Sequence, residues 1–197
     1  MSKKVLLLLA EGFEDVEAVT PSDYLRRVGA DLVIAAVASN RTVRSSRGLS
    51  LVADATLAEL AAAGRWTTQS WDAVLVPGGM PGSANIAASS ACAALIKDMA
   101  DAGKLLAAIC AAPAVVLAPL GILDGKHFTC FPGMEKDVSG AFWSEARVVK
   151  DGNIITSRSA GTAGEWSYHI VESLYGTEVA QKLAKSVLLM ENLSQGT

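Results

Sequence analysis

Basic runs, long apolar stretches and clustered cysteines are all scarce in this chain, and each shortage removes a class of protein. Seventeen Lys and Arg stand against twenty Asp and Glu, a formal charge of -3, and no basic block offers a footprint for a phosphate backbone or an anionic membrane surface. Neither nucleic acid nor a membrane is expected as a partner. No apolar run approaches the roughly 18 to 20 residues that a spanning helix needs. The opening run from Val5 to Ala10 leads straight into the acidic stretch Glu11 to Glu17 without a small-residue cleavage site, so it reads as a buried strand rather than a signal peptide. Three cysteines, Cys92, Cys110 and Cys130, at wide and irregular spacing suit neither a disulfide framework nor a zinc site, and point to a reducing cytoplasm. The two histidines, His127 and His169, lie far apart with no third ligand pattern, so no metal is expected. The tryptophans Trp66, Trp71, Trp143 and Trp166 form no helical stripe and read as packing residues.

What is present is apolar and well punctuated. A hydrophobic fraction of 51% with 19% charged residues is the composition of a globular chain, and 197 residues fit one domain. Continuous apolar runs at Val5 to Ala10, Asp31 to Ala38, Ala73 to Val76 and Leu105 to Ile109 read as strands buried on both faces. Helical patterns fall at Val16 to Val28, Leu57 to Ala63, Cys92 to Ala102, Ala111 to Leu117, Gly164 to Leu174 and Glu178 to Ser186. This alternation predicts an α/β fold, an open, doubly wound, mostly parallel sheet with helices on both faces. Thr42 to Asp54 around Gly48, and Arg147 to Ser157 around Asp151-Gly152, read as hairpins, a small antiparallel appendage. Lys126 to Cys130 reads as a short strand, and Pro21 predicts that the first helix starts near it or bends there.

In such sheets the site lies beyond the carboxyl ends of the strands. Three of those ends are unusual: Glu11 to Glu17, Pro77-Gly78-Gly79, and Cys110-Ala111-Ala112-Pro113. Cys110 sits between a strand and a helix pattern, with alanines on both sides where a sharp turn would not admit bulk. That is the logic of a nucleophile elbow, whose following helix end supplies amide donors and lowers the thiol pKa. A small buried core cysteine is the alternative. The glycines Gly78 and Gly79 permit close backbone approach, and the amides of Gly79 and Ala111 are candidates to hold an oxyanion, though Gly-Gly also makes ordinary turns. Of the carboxylates after the first strand, Glu17 falls in the first helical turn, from where it could point back over the strand ends. Its pKa would then rise, making it a proton donor to sulfur or a general acid and base. Glu11, Glu14 and Asp15 can be read as solvated charges.

These motifs, together with Ser46-Arg47-Gly48, Ile155-Thr156-Ser157-Arg158 and Gly161-Thr162, follow an order and spacing that resembles the ThiJ/PfpI superfamily, on its parkinsonism-associated protein deglycase (DJ-one) branch. The resemblance implies one class I glutamine amidotransferase-like domain over residues 1–197, a flavodoxin-like sandwich and a homodimer. It implies Cys110 as oxidisable nucleophile with Glu17 bonded to it, Gly78, Gly79 and Ala111 around the substrate, and Glu14 and Arg47 shaping the pocket across the dimer interface. No cofactor is implied. The implied activity is a cofactor-independent glyoxalase or protein deglycase acting on methylglyoxal and its adducts, a small reactive carbonyl, in carbonyl or oxidative stress. The alternative is a redox-sensing, chaperone-like protein whose cysteine becomes a sulfinate without turnover.

The chain also departs from that family. Phe131 stands where many members carry a histidine before the proline matching Pro132, and Ala111 stands where protease-like members place theirs, which removes the general base of peptide hydrolysis. Arg158-Ser159-Ala160-Gly161-Thr162 replaces an Arg-Gly-Pro-Gly-Thr stretch. Phosphotransfer has no support, because no Gly-rich Lys-Ser/Thr loop is present.

Overall fold

Alternate side chains of each buried strand leave on opposite faces, and here both faces meet helices. The computed structural model describes residues 2–189. Its strands are β1 (Lys4–Leu9), β2 (Asp31–Ala36), β3 (Thr42–Arg44), β4 (Ser50–Val52), β5 (Ala55–Thr56), β6 (Ala73–Val76), β7 (Leu105–Ile109), β8 (His127–Phe128), β9 (Phe142–Trp143), β10 (Val148–Asp151) and β11 (Ile154–Ser157). The helices are α1 (Asp15–Arg27), α2 (Leu57–Ala62), α3 (Gly82–Ala88), α4 (Ser90–Asp101), α5 (Ala163–Tyr175) and α6 (Thr177–Ser186).

The main sheet runs β10-β11-β7-β6-β1-β2-β5. All its pairings are parallel except β10 with β11. Val5, Leu7 and Leu9 of β1 join Ile34, Leu75, Ala107 and Ile155 on one face, under Leu25 of α1, Trp166 and Ile170 of α5 and Leu183 of α6. Leu6 and Leu8 join Val74, Val76, Leu106 and Ala108 on the other, under Leu60 of α2, Ile86 of α3 and Cys92, Leu95 and Ile96 of α4. This is the flavodoxin-like doubly wound architecture, with the small antiparallel pair β3-β4 beside it. β1 sits between β2 and β6, so the chain reverses its direction of winding at the β1-β6 boundary, which is where such sheets open a crevice.

Local detail departs from the sequence pattern in four places. Helix α1 begins at Asp15 and continues through Pro21, so it does not start at the proline. Helix α3 was not expected; its Gly82-Ser83-Ala84 start, after Pro81, carries no capping side chain to announce it. The two-residue turn of the last hairpin is Gly152-Asn153 rather than Asp151-Gly152, because Asp151 pairs with Ile154 and Gly152 takes the positive φ of 60°. The segment after Cys110 is a five-residue π-helical turn, Pro113–Leu117, rather than a regular helix from Ala111. Trp143 is a surface residue at 38% exposure, unlike the buried Trp71 and Trp166. Among the described residues, no helix is long and apolar enough to cross a membrane.

Candidate functional site

The carboxyl ends of β1, β6 and β7 deliver three short segments to one cavity of about 560 Å³. From β7 comes Cys110, whose φ of 63° puts a non-glycine residue in the left-handed region, at about 1–2 kcal/mol for an L-residue. Neighbouring backbone holds it there. The Cys110 N–H donates to the Ser157 carbonyl at 2.9 Å, and its carbonyl accepts from Phe131 N–H at 2.8 Å. The turn leaves the thiol lining the cavity although the residue is only 8% exposed.

From β6 come the two glycines, and each is there for a different steric reason. A Cβ on Gly78 would sit 2.5 Å from both Cys110 Cβ and Glu17 Oε2, so the absent side chain is what lets thiol and carboxyl share one space. Gly78 N–H donates to Glu17 Oε2 at 2.9 Å. Gly78 therefore holds the acid and is not itself among the residues lining the cavity. Gly79 adopts φ of 90°, and a Cβ there would meet Glu14 N at 2.5 Å. Its N–H, with that of Ala111, pulls the Cys110 thiol pKa down.

From β1 comes the start of α1. Glu14 is its N-cap, its Oε2 accepting from Glu17 N–H at 2.8 Å, a bond that satisfies one of the donors a helix start leaves open. The same geometry turns Glu17 inward until it is fully buried. Its second oxygen, Oε1, has no hydrogen-bond partner of normal geometry. Burial first and the Glu14 charge second push the Glu17 carboxyl from 4.5 up to about 7, against the downward pull of Cys110, Gly78 N–H and Ala160 N–H.

Burial also pushes the Cys110 thiol up, to about 12, with the Glu17 charge as the second cause. The sequence had predicted a thiol lowered by a helix end. That fails because a five-residue π-helical turn follows Cys110 and the sulfur is desolvated, which disfavours the charged form. The second cause disappears once Glu17 carries a proton; its O–H then joins Gly79 N–H and Ala111 N–H as a donor toward sulfur. Burial thus favours the protonated thiol, with a carboxyl raised toward neutrality beside it.

Glu14, Glu17, Gly79, Cys110, Ala111 and Arg47 all line the cavity, as do Phe131 and Pro132. Ser159 and Ala160 supply a further part of the wall, and Ser46 lies beside Arg47. Sequence reasoning missed Met80 and Met134, both lining residues. Their positions, directly after Gly78-Gly79 and two residues after Pro132, were the available signals. The other two cysteines lie elsewhere: Cys92 is fully buried in α4 and Cys130 is fully buried after β8, and burial pushes each to about 11. His127 is exposed beside Asp151, and His169 lies against Glu172 on α5.

Comparison with known proteins agrees in fold and in sequence. The model of the DJ-1/PfpI family matches residues 3–173. The chain is 38% identical over 194 residues to Protein dj-1beta of Drosophila melanogaster, covering 98% of this chain and 100% of that protein. It is 39% identical over 192 residues to the Parkinson disease protein 7 homolog of Danio rerio, covering 96% and 98%. It is 32% identical over 187 residues to the glutathione-independent glyoxalase DJR-1.2 of Caenorhabditis elegans, covering 94% and 95%. Among solved structures, oxidized Toxoplasma gondii DJ-1 matches with a TM-score of 0.89 and 36% identity, covering 95% of this chain and 98% of that one.

Proposed function

Because this chain belongs to the DJ-1/PfpI family, we propose that it is a cofactor-independent glyoxalase and protein deglycase, acting on methylglyoxal and its adducts through Cys110 and Glu17. The observation that carries the reading is the Gly78 contact: a missing side chain brings a nucleophilic sulfur and an acid titrating near neutrality into one cavity. One relative bears the name glutathione-independent glyoxalase.

The residues divide the chemistry as follows. Cys110 sulfur adds to the aldehyde carbon, and its proton passes to the Glu17 carboxylate, since a thiol held up near 12 needs a local base. The Gly79 and Ala111 N–H groups stabilise the oxygen that gains charge. Glu17 hands the thiol proton to that oxygen, completing a hemithioacetal, and as a carboxylate again it takes the proton from the former aldehyde carbon and returns it to the neighbouring carbon by way of an enediol. A pKa of about 7 suits both directions of that transfer. Water cleaves the resulting thioester, giving lactate and free Cys110. Without glutathione, methylglyoxal should be converted to lactate by the wild type and by neither Cys110→Ala nor Glu17→Gln; activity surviving in Cys110→Ala would end the proposal.

A second reading keeps the same sulfur as a sensor, oxidised to a sulfinate without turnover. A related structure is of an oxidized form. Mild peroxide would then add two oxygens to Cys110 alone, whereas oxidation spread over Cys92 and Cys130 as well would count against it. The proposal includes a homodimer. Val16 and Val19 on α1, with Leu49 and Val52 at the hairpin, are 45 to 69% exposed, and Val19 and Val52 share a groove, an apolar face that a second copy would cover. Glu14 and Arg47 lie next to those positions in the chain. Sedimentation should give a dimer for the wild type and a monomer for Val19→Asp; a wild-type monomer contradicts this part.

A further inference from the structure

We infer that the cavity selects 2-oxoaldehydes carrying an aryl or similarly bulky apolar substituent over methylglyoxal, with Phe131 as the side chain that sets the preference. This rests on the roles of Cys110 and Glu17 proposed above and adds the identity of the substrate's far end.

The cavity of a single copy has room beyond a three-carbon substrate. Its volume of about 560 Å³ lies within the range of about 300–1,000 Å³ that holds drug-sized ligands, so methylglyoxal would fill only part of it. Its lining is divided by origin. The segment around α1 and the β3-β4 loop contribute Glu14, Glu17 and Arg47, whereas the segments after β6 and β8 contribute Met80, Phe131, Pro132 and Met134. Met80 is 54% and Phe131 43% exposed, so two large apolar side chains stand in water around a reactive sulfur. Covering them with apolar surface is favourable.

Phe131 is also tied to the nucleophile. Its N–H donates to the Cys110 carbonyl, and its own carbonyl accepts from Met134 N–H at 3.1 Å. The apolar wall is thereby built from the same backbone contacts that hold Cys110 in its strained conformation. An aryl ring beyond the reacting carbonyls would meet the Phe131 ring and the thioethers of Met80 and Met134, contacts that favour aromatics beyond simple burial.

The reaction needs no external electron carrier. The aldehyde carbon is oxidised to a carboxylate, the adjacent ketone carbon is reduced to a secondary alcohol by the same electron pair, and water supplies the second carboxylate oxygen and releases one proton. For 3-phenyl-2-oxopropanal the product is 3-phenyllactate.

Initial rates on 3-phenyl-2-oxopropanal and on methylglyoxal, without glutathione, test the inference in wild type, Phe131→Ala and Phe131→Leu. The wild type should show a kcat/KM roughly tenfold higher on the phenyl substrate. That ratio should fall toward one in Phe131→Ala, mainly through KM, with Phe131→Leu between. Equal values in the wild type, or a preference that survives Phe131→Ala, overturn the inference. Turnover of neither aldehyde would defeat the catalytic reading instead, and calorimetric titration with 3-phenyllactate and lactate then decides the pocket. Tighter binding of 3-phenyllactate that is lost in Phe131→Ala supports it; equal affinities overturn it.

Discussion

Cys92 and Cys110 lie on opposite faces of the same sheet, and their contrast teaches that the direction of a thiol's pKa shift does not tell two buried cysteines apart, whereas their surroundings do. Both residues are buried, and burial raises both thiols, to about 11 and about 12. Cys92 has only the Ser89 cap beside it, in a helix packed against apolar strands. Cys110 has an acid titrating near 7 and the N–H groups of two neighbours, and it opens on a cavity. The difference lies in what stands next to sulfur, and in the proposed reaction that arrangement is set before charge moves.

The largest way to sharpen that contrast is turnover. Cys110→Ala should lower the rate of lactate formation on the order of a thousandfold or more, while Cys92→Ala should stay within about twofold. A comparable loss in both would mean that the two sites are not functionally distinct.

Stability against pH comes next. The Glu17 carboxyl holds its proton to about 7 in the folded chain against an ordinary 4.5, so between those values the native state binds more protons than the unfolded one. The contribution is fully present below about 4.5 and is lost as pH rises through about 7, amounting to about 3 kcal/mol in total. Denaturant titrations at pH 5 and pH 8 should show that loss in the wild type and not in Glu17→Gln. A wild type whose stability rises over the window by the same amount would contradict the burial of this acid.

The smallest effect concerns the glycine that joins the two groups. Gly78→Ala puts a methyl 2.5 Å from Cys110 Cβ and Glu17 Oε2 and should destabilise the fold by about 1–3 kcal/mol. Gly161→Ala, where a Cβ meets nothing within 4 Å, should stay within about 0.5 kcal/mol. Equal shifts in the denaturation midpoint would show that Gly78 is not tightly packed.

Much of the frame was legible because its signals are local and redundant. β6 and β7 occupy the residues their apolar runs marked, and the elbow at Cys110 follows from small residues where a strand must turn. Glu17 was legible only as one carboxylate among several. What singles it out is a contact across 61 positions with Gly78, and no pattern within α1 carries that information. The raised thiol was misread for a related reason: a helix end can be inferred from sequence, whereas the desolvation that outweighs it depends on every element packed around sulfur. Met80 and Met134 escaped because flexible apolar residues in loops look alike whether or not a cavity lies beneath them.

The most direct test is the pH dependence of iodoacetamide alkylation, resolved by peptide mass mapping at each cysteine under native conditions. Cys110 should react far faster than Cys92 and Cys130, its rate should rise through about pH 7 as the Cys110–Glu17 pair loses its first proton, and that rise should vanish in Glu17→Gln. Uniformly slow labelling of all three cysteines, with no inflection near neutrality, would contradict the account.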